Sequence, residues 1–168
     1  MSALTLLKAL AVVLPLAGCI STPQPADPTS AIAEVNSRTN HFPSYPQAGV
    51  TYLSFDLAHG FQINYIGNSG NAWLWYPGNQ VALSEEYKKD RIREQNAICW
   101  RSTEISFNSV TGTRGDQYAC ESLDFAQRTT ISSLSGDVFN LQSGNVPYTL
   151  DRCLAPTEFQ FDRQRYSC

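Results

Sequence analysis

The chain has 168 residues and a formal net charge of −3, with 16 % of its side chains charged and 42 % hydrophobic. That length is enough for one domain with a core of its own. The acidic balance excludes the electropositive footprint of a nucleic-acid binder, and the sequence carries no glycine-rich nucleotide loop.

The N-terminus reads as an address. Residues 9–16 form an apolar run behind Lys8, of a length suited to a secretory signal and far short of the ~20 residues that span a bilayer. Ala17 and Gly18 are the small residues a signal cleavage site requires, and Cys19 follows them directly. Leu16-Ala17-Gly18-Cys19 resembles the lipobox of bacterial lipoproteins. The resemblance implies that residues 1–18 are a signal peptide and that Cys19 is lipidated and becomes the new N-terminus. Acyl chains worth about 0.8 kcal/mol per buried methylene would then hold the protein on a membrane. Ile20 stands where Asp would resemble an inner-membrane retention signal, which favours the outer membrane with the domain facing the periplasm.

Residues 21–28 are polar and Pro-rich, the composition of a semi-stiff tether, so anchor and tether are placed at 19–38 and a single β-rich domain at 39–168. Asp27 can cap a short helix with Pro28 at its first position, running through Val35. From Gly49 the pattern turns strand-like. Residues 50–57 and 61–65 read as a hairpin around Ala58-His59-Gly60, 72–76 as a third strand before the turn Pro77-Gly78-Asn79, and 81–83 as a fourth. The charged block 84–95 reads as a solvated surface helix, or failing that a polar excursion between strands. Ser84 can cap it, acids precede bases, and Glu85 and Lys89 are spaced i,i+4.

Residues 97–107 and 117–120 read as strands around a loop at 111–116, whose Arg114-Gly115-Asp116 spells an integrin tripeptide but is good turn chemistry. Further strands are expected at 129–131, 138–141 and 146–150, with Pro147 marking the last as an edge. Short strands roughly ten residues apart with glycine turns predict an all-β fold, a small antiparallel meander closing into a barrel or sandwich with one or two short helices.

Besides Cys19 there are four cysteines, Cys99, Cys120, Cys153 and Cys168, an even set in an exported chain. Of the three pairings, Cys99–Cys120 and Cys153–Cys168 are favoured because each brackets a local segment. A metal site would show closer Cys or His spacing, and neither a metal nor a cofactor is expected.

Catalytic motifs are not found: there is no Gly-x-Ser-x-Gly elbow and no His-Glu-x-x-His. Asp56 lies three residues before His59, and a serine would complete a triad, but a hairpin turn with polar residues explains the pair. Glycoside chemistry would need carboxylates brought together from Asp56, Glu104, Glu121 and Asp124. The most suggestive surface is aromatic. On a strand Trp73 and Trp75 share one face while Leu74 and Tyr76 take the other, and exposed Trp and Tyr stack on sugars or anchor protein interfaces. Trp73, Trp75, Tyr76 and the neighbouring Asn79 are therefore the candidate binding residues, with packing inside as the structural alternative.

Trp75-Tyr76-Pro77-Gly78-Asn79-Gln80-Val81-Ala82-Leu83 is similar, over these nine residues, to the Trp-x-x-Gly-polar-x-x-Ala-Leu stretch of the membrane-bound lysozyme-inhibitor lipoproteins. The resemblance implies a small disulfide-linked β-barrel that binds a muralytic enzyme. Two functions are carried forward, ahead of an enzyme as a third. One is a non-enzymatic envelope lipoprotein that binds or assembles with another envelope protein. The other is a ligand or inhibitor module for cell-wall glycan or a muralytic enzyme.

Overall fold

A computed structural model describes residues 27–102, 107–108 and 113–168. Cys19, the lipobox, most of the tether and Glu104 lie outside the described residues.

Helix α1 (Pro28–Ser37) begins as its sequence dictates. The Asp27 carboxylate accepts from the Ser30 amide, and Pro28 occupies a position whose N–H has no helical partner. Its Ala31 and Val35 are buried, and α1 packs on the second helix and the first strand. The helix assigned above to the tether is therefore packed into the fold.

The chain then makes an antiparallel meander: β1 (Val50–Asp56), β2 (Gly60–Ile66), β3 (Asn71–Trp75), β4 (Leu83–Ile92) and β5 (Gln95–Ser102). Two strands of two residues each, β6 (Phe107–Asn108) and β7 (Thr113–Arg114), pair antiparallel, then β8 (Ala119–Ser122) pairs with the outer side of β5. Helix α2 (Leu123–Thr129), capped by the Ser122 hydroxyl, leads directly into β9 (Thr130–Ser135), which pairs with β1 at the opposite edge. The sheet order is β8-β5-β4-β3-β2-β1-β9.

That connection fixes the curvature. A flat seven-stranded sheet is roughly 29 Å wide at its usual strand spacing, but a helix the length of α2 advances only ~10 Å. The sheet must curl to bring its edges within that reach, giving a half-barrel with α2 lying in the open seam.

The two sheet faces carry separate cores. Inside the curl, Tyr45, Tyr52, Ile66, Ala72, Ile98 and Ala126 pack together, with Phe42, Tyr87, Trp100 and Leu123 against them. Gln127, itself buried, donates to the carbonyls of Pro43 and Tyr45 and holds that loop under the helix. On the outer side of β1–β3, Leu53, Phe55, Phe61, Ile63 and Trp75 are covered by Phe139, Leu141, Ala155 and Phe159 from the C-terminal segment.

Both favoured disulfides are formed, Cys99–Cys120 between residues directly opposite on β5 and β8, and Cys153–Cys168 closing the tail. The second lies on the β1–β2 turn. Gly60 there has φ +78°, and a Cβ on it would stand 3.1 Å from the Cys168 sulfur.

Two expectations are corrected. The block 84–95 is not a helix. Its residues form β4 and start β5, joined by Arg93 and Glu94 in left-handed conformation, the geometry of a tight hairpin turn. Alternation decides it: Glu85 and Tyr87 turn inward while Glu86 and Lys88 turn outward, and cross-strand partners on β5 outweigh an i,i+4 charge pair worth only a few tenths of a kcal/mol. Residues 138–141 and 146–150 are not strands either. The Asp137 carboxylate accepts from the Leu141 and Gln142 amides, starting a 3-10 turn (Leu141–Ser143) flanked by left-handed Asn140 and Gly144. Only Val81 makes a single bridge to Asn145.

Candidate functional site

The expected aromatic face is divided by the fold. Trp75 is fully buried in the outer core, packed edge-on to Phe139 and Tyr148, and its indole donates to the Asn79 carbonyl at 3.3 Å. The proposed binding role of Trp75 is thereby corrected: it offers no surface. Trp73 shares its face as expected and stacks on Tyr65 at 5.8 Å, its ring so close over Gly67 that a Cβ there would meet it at 2.7 Å. Asn79 closes a turn through its amide to the Tyr76 carbonyl, and the loop is tied to the tail by the Ala82 amide. Residues 75–79 thus serve mainly to seat the C-terminal segment.

Tyr76 faces the other way, toward the inside of the curl. Burial pushes its hydroxyl up to about 12, with Glu85 and Asp56 adding to the effect. It therefore belongs with the inner wall, where the register of β3, β4, β5 and β8 sets out a second constellation. Glu85 lies between Ala72 and Ser102, Tyr87 opposite Trp100, and Glu121 opposite Ile98. The Tyr87 and Trp100 rings are partly exposed and tilted against each other at 5.6 Å.

The two carboxyls flank this pair. Burial with no countercharge among the described residues raises Glu85 to about 7. Glu121 is likewise raised to about 7, first by the surrounding protein, although solvent still reaches its side chain. A hydrogen bond from the Trp100 indole and the nearby His59 oppose that rise, while Asp56 adds to it. The hydroxyl of Tyr45, buried beneath, is pushed far above its ordinary value by burial and then by Glu121 and Glu85. The inner wall is thus an aromatic strip between two acids at the edge of ionisation.

Against known protein families, curated proteins and solved structures, this chain has no match.

The other acid–base candidate is the β1–β2 turn. Asp56 Oδ1 accepts from the Ala58 and His59 amides at 2.8 Å, and its carboxylate holds His59 Nδ1 at 3.0 Å. Burial alone would raise the Asp56 carboxyl, but these bonds to His59 and Ala58 bring it below its usual range. The same contact raises His59. The groups that shift this imidazole are Asp56 first, then Glu121 and Arg152, and the serine that a triad requires is not one of them. Asp124 is engaged by Arg128 and Asn40. Among the described residues no group of His, Cys, Asp and Glu gathers for a metal ion, and no helix is long and apolar enough to cross a membrane.

Sequence reasoning missed Tyr87, Trp100 and Glu85 as a unit because a helical reading of 84–95 separates them. The available signal was the alternation Glu85-x-Tyr87-x-Lys89 against Ile98-x-Trp100, which is strand-like on both sides of a tight turn.

Proposed function

We propose that this protein is a lipid-anchored envelope protein that binds another envelope protein, without catalysis, on the inner wall of its half-barrel. The observation that carries this reading is the partly exposed Tyr87–Trp100 pair set between Glu85 and Glu121. Aromatic faces attract cations, and flanking carboxylates pair with them, so the partner is expected to present lysine or arginine. Support for the anchor comes from the Leu-Ala-Gly-Cys stretch, which would keep the wall near a membrane and its partner at high local concentration.

The experiment is site-specific photocrosslinking in intact cells, with the crosslinker at Trp100 and, as a control, at Lys88 on the outer face. One reproducible envelope-protein adduct from position 100, absent from position 88, supports the reading. No adduct, or the same adducts from both faces, overturns it. The same rings and carboxyls also suit a sugar, and loss of the adduct on adding soluble cell-wall fragments would favour the glycan reading. Membrane association lost in Cys19→Ser tests the anchor separately.

A further inference from the structure

A second concavity lies on the other side of α2, between the end of α1, the start of β9 and the C-terminal tail. It encloses about 270 Å³, and among the described residues its charged lining consists of Arg38, Arg128, Arg165 and His41, with no carboxylate on its wall. In an acidic chain that concentration of one sign is unexpected.

The four side chains are not equivalent. Arg38, only 4 % exposed, is held by two bonds to Glu34 and by the carbonyls of Phe55 and Arg128, with its guanidinium over the Tyr166 ring at 5.1 Å. Arg128 spends Nε on Asp124 and Nη1 on the carbonyls of Asn36 and Arg38, and among the described residues its Nη2 has no partner. These two are a rigid frame whose charges are already paired. Arg165 is different: it is exposed, rests on Tyr166 at 5.4 Å, and has no carboxylate partner among the described residues. Thr39 and His41 line the same cleft, and their side chains can supply further donors.

We propose that this cleft binds a phosphoryl group, with Arg165 as the capturing charge, Arg128 Nη2, Thr39 and His41 as supporting donors, and Phe42 and Tyr166 as apolar walls. A planar guanidinium with fixed neighbouring donors matches the oxygens of a phosphate better than a lone ammonium does. The cleft has room for more than the phosphate itself, so the group is expected as part of a small ester. A phospholipid headgroup and a free phosphate share this chemistry.

The test is NMR titration of the full chain in detergent micelles, following the amides of Thr39, His41 and Arg165. The probes are inorganic phosphate, the deacylated headgroup glycerophosphoglycerol, and acetate as a carboxylate control. Saturable shifts with a phosphate probe, weakened about tenfold or more in Arg165→Glu and partly retained in Arg165→Lys, are expected, that factor being the worth of one charged hydrogen bond. Preference for glycerophosphoglycerol assigns the source as a lipid headgroup, and preference for inorganic phosphate assigns a free anion. Absence of saturable shifts, shifts outside the cleft, equal binding of acetate, or affinity unchanged in Arg165→Glu overturns the proposal. Arg165 is exposed and lies outside both cores, so its variants are expected to keep wild-type spectra elsewhere.

Discussion

Glu85 should make the stability of this protein fall as pH rises. Its carboxyl sits on the inner wall between Ala72 and Ser102, and burial alone lifts it from 4.5 to about 7. The folded state therefore holds its proton more tightly than the unfolded chain does. The stabilisation linked to that proton is complete below the unfolded value and is lost as pH climbs through about 7. At about 1.4 kcal/mol per pH unit the interval corresponds to roughly 3 kcal/mol, and partial solvent access reduces the expected effect to about 1–2 kcal/mol. Glu85→Gln keeps the shape and cannot ionise. Urea unfolding with disulfides intact, at about pH 5 and about pH 8, should show the variant close to wild type in acid and more stable by that amount in base. A variant less stable at both values, or a difference from wild type that does not change with pH, would refute the reasoning.

Three further outcomes follow from the same structure. Arg38→Ala leaves the carbonyls of Phe55 and Arg128 without their donor beside a vacated buried site, while Glu34, whose side chain is 34 % exposed, turns to water, so chemical denaturation should register a loss of about 2 kcal/mol or more; a loss under about 1 kcal/mol contradicts this. Replacing Cys153 and Cys168 by serine opens a loop with a sequence separation of 15, which should cost about 3 kcal/mol in the chain-entropy account and lower the Tm accordingly. An unchanged Tm would show that the aromatic packing of the tail suffices alone. In Asp56→Asn, His59 loses the partner that raises it, so its NMR-observed pKa should drop toward 6.5. Because the raised imidazole stabilises the fold at pH below 6.5 and loses that contribution as pH passes its folded value, the variant should be relatively weakened in acid. An unmoved His59 titration would dismiss the contact.

The fold was legible wherever the signal was local. Capping marks α1, period-2 alternation marks β1 and β2, and the pairing of Cys99 with Cys120 follows from residues that bracket one segment. What failed depended on partners distant in sequence. Charge spacing in 84–95 imitates a helix, and only the neighbouring β3 and β5 reveal a strand. Phe139 and Tyr148 look strand-like in isolation, yet they are apolar because they cover Trp75 from irregular chain. Trp75 itself illustrates the limit on reading a site: alternation placed its side chain on the correct face, but nothing local disclosed that the tail lies over that face. The inner wall was invisible for the converse reason, since its acids and rings come from separate strands and acquire their character only when the sheet curls.

The pairing of β9 with β1 also dictates the order in which the molecule can be completed. Val50 finds its partner in Ser135, so the meander from β1 to β5 can form early from near neighbours, while the curl waits for β9, which comes only after β6, β7, β8 and α2. Closing such a distant contact is entropically slow. Until it closes, β1 keeps one unpaired edge, and the carbonyls and amides that β9 will later satisfy are open to a strand from another molecule. If the chain crosses a membrane in an extended state, as the proposed anchor implies, that interval is when an escort would matter most.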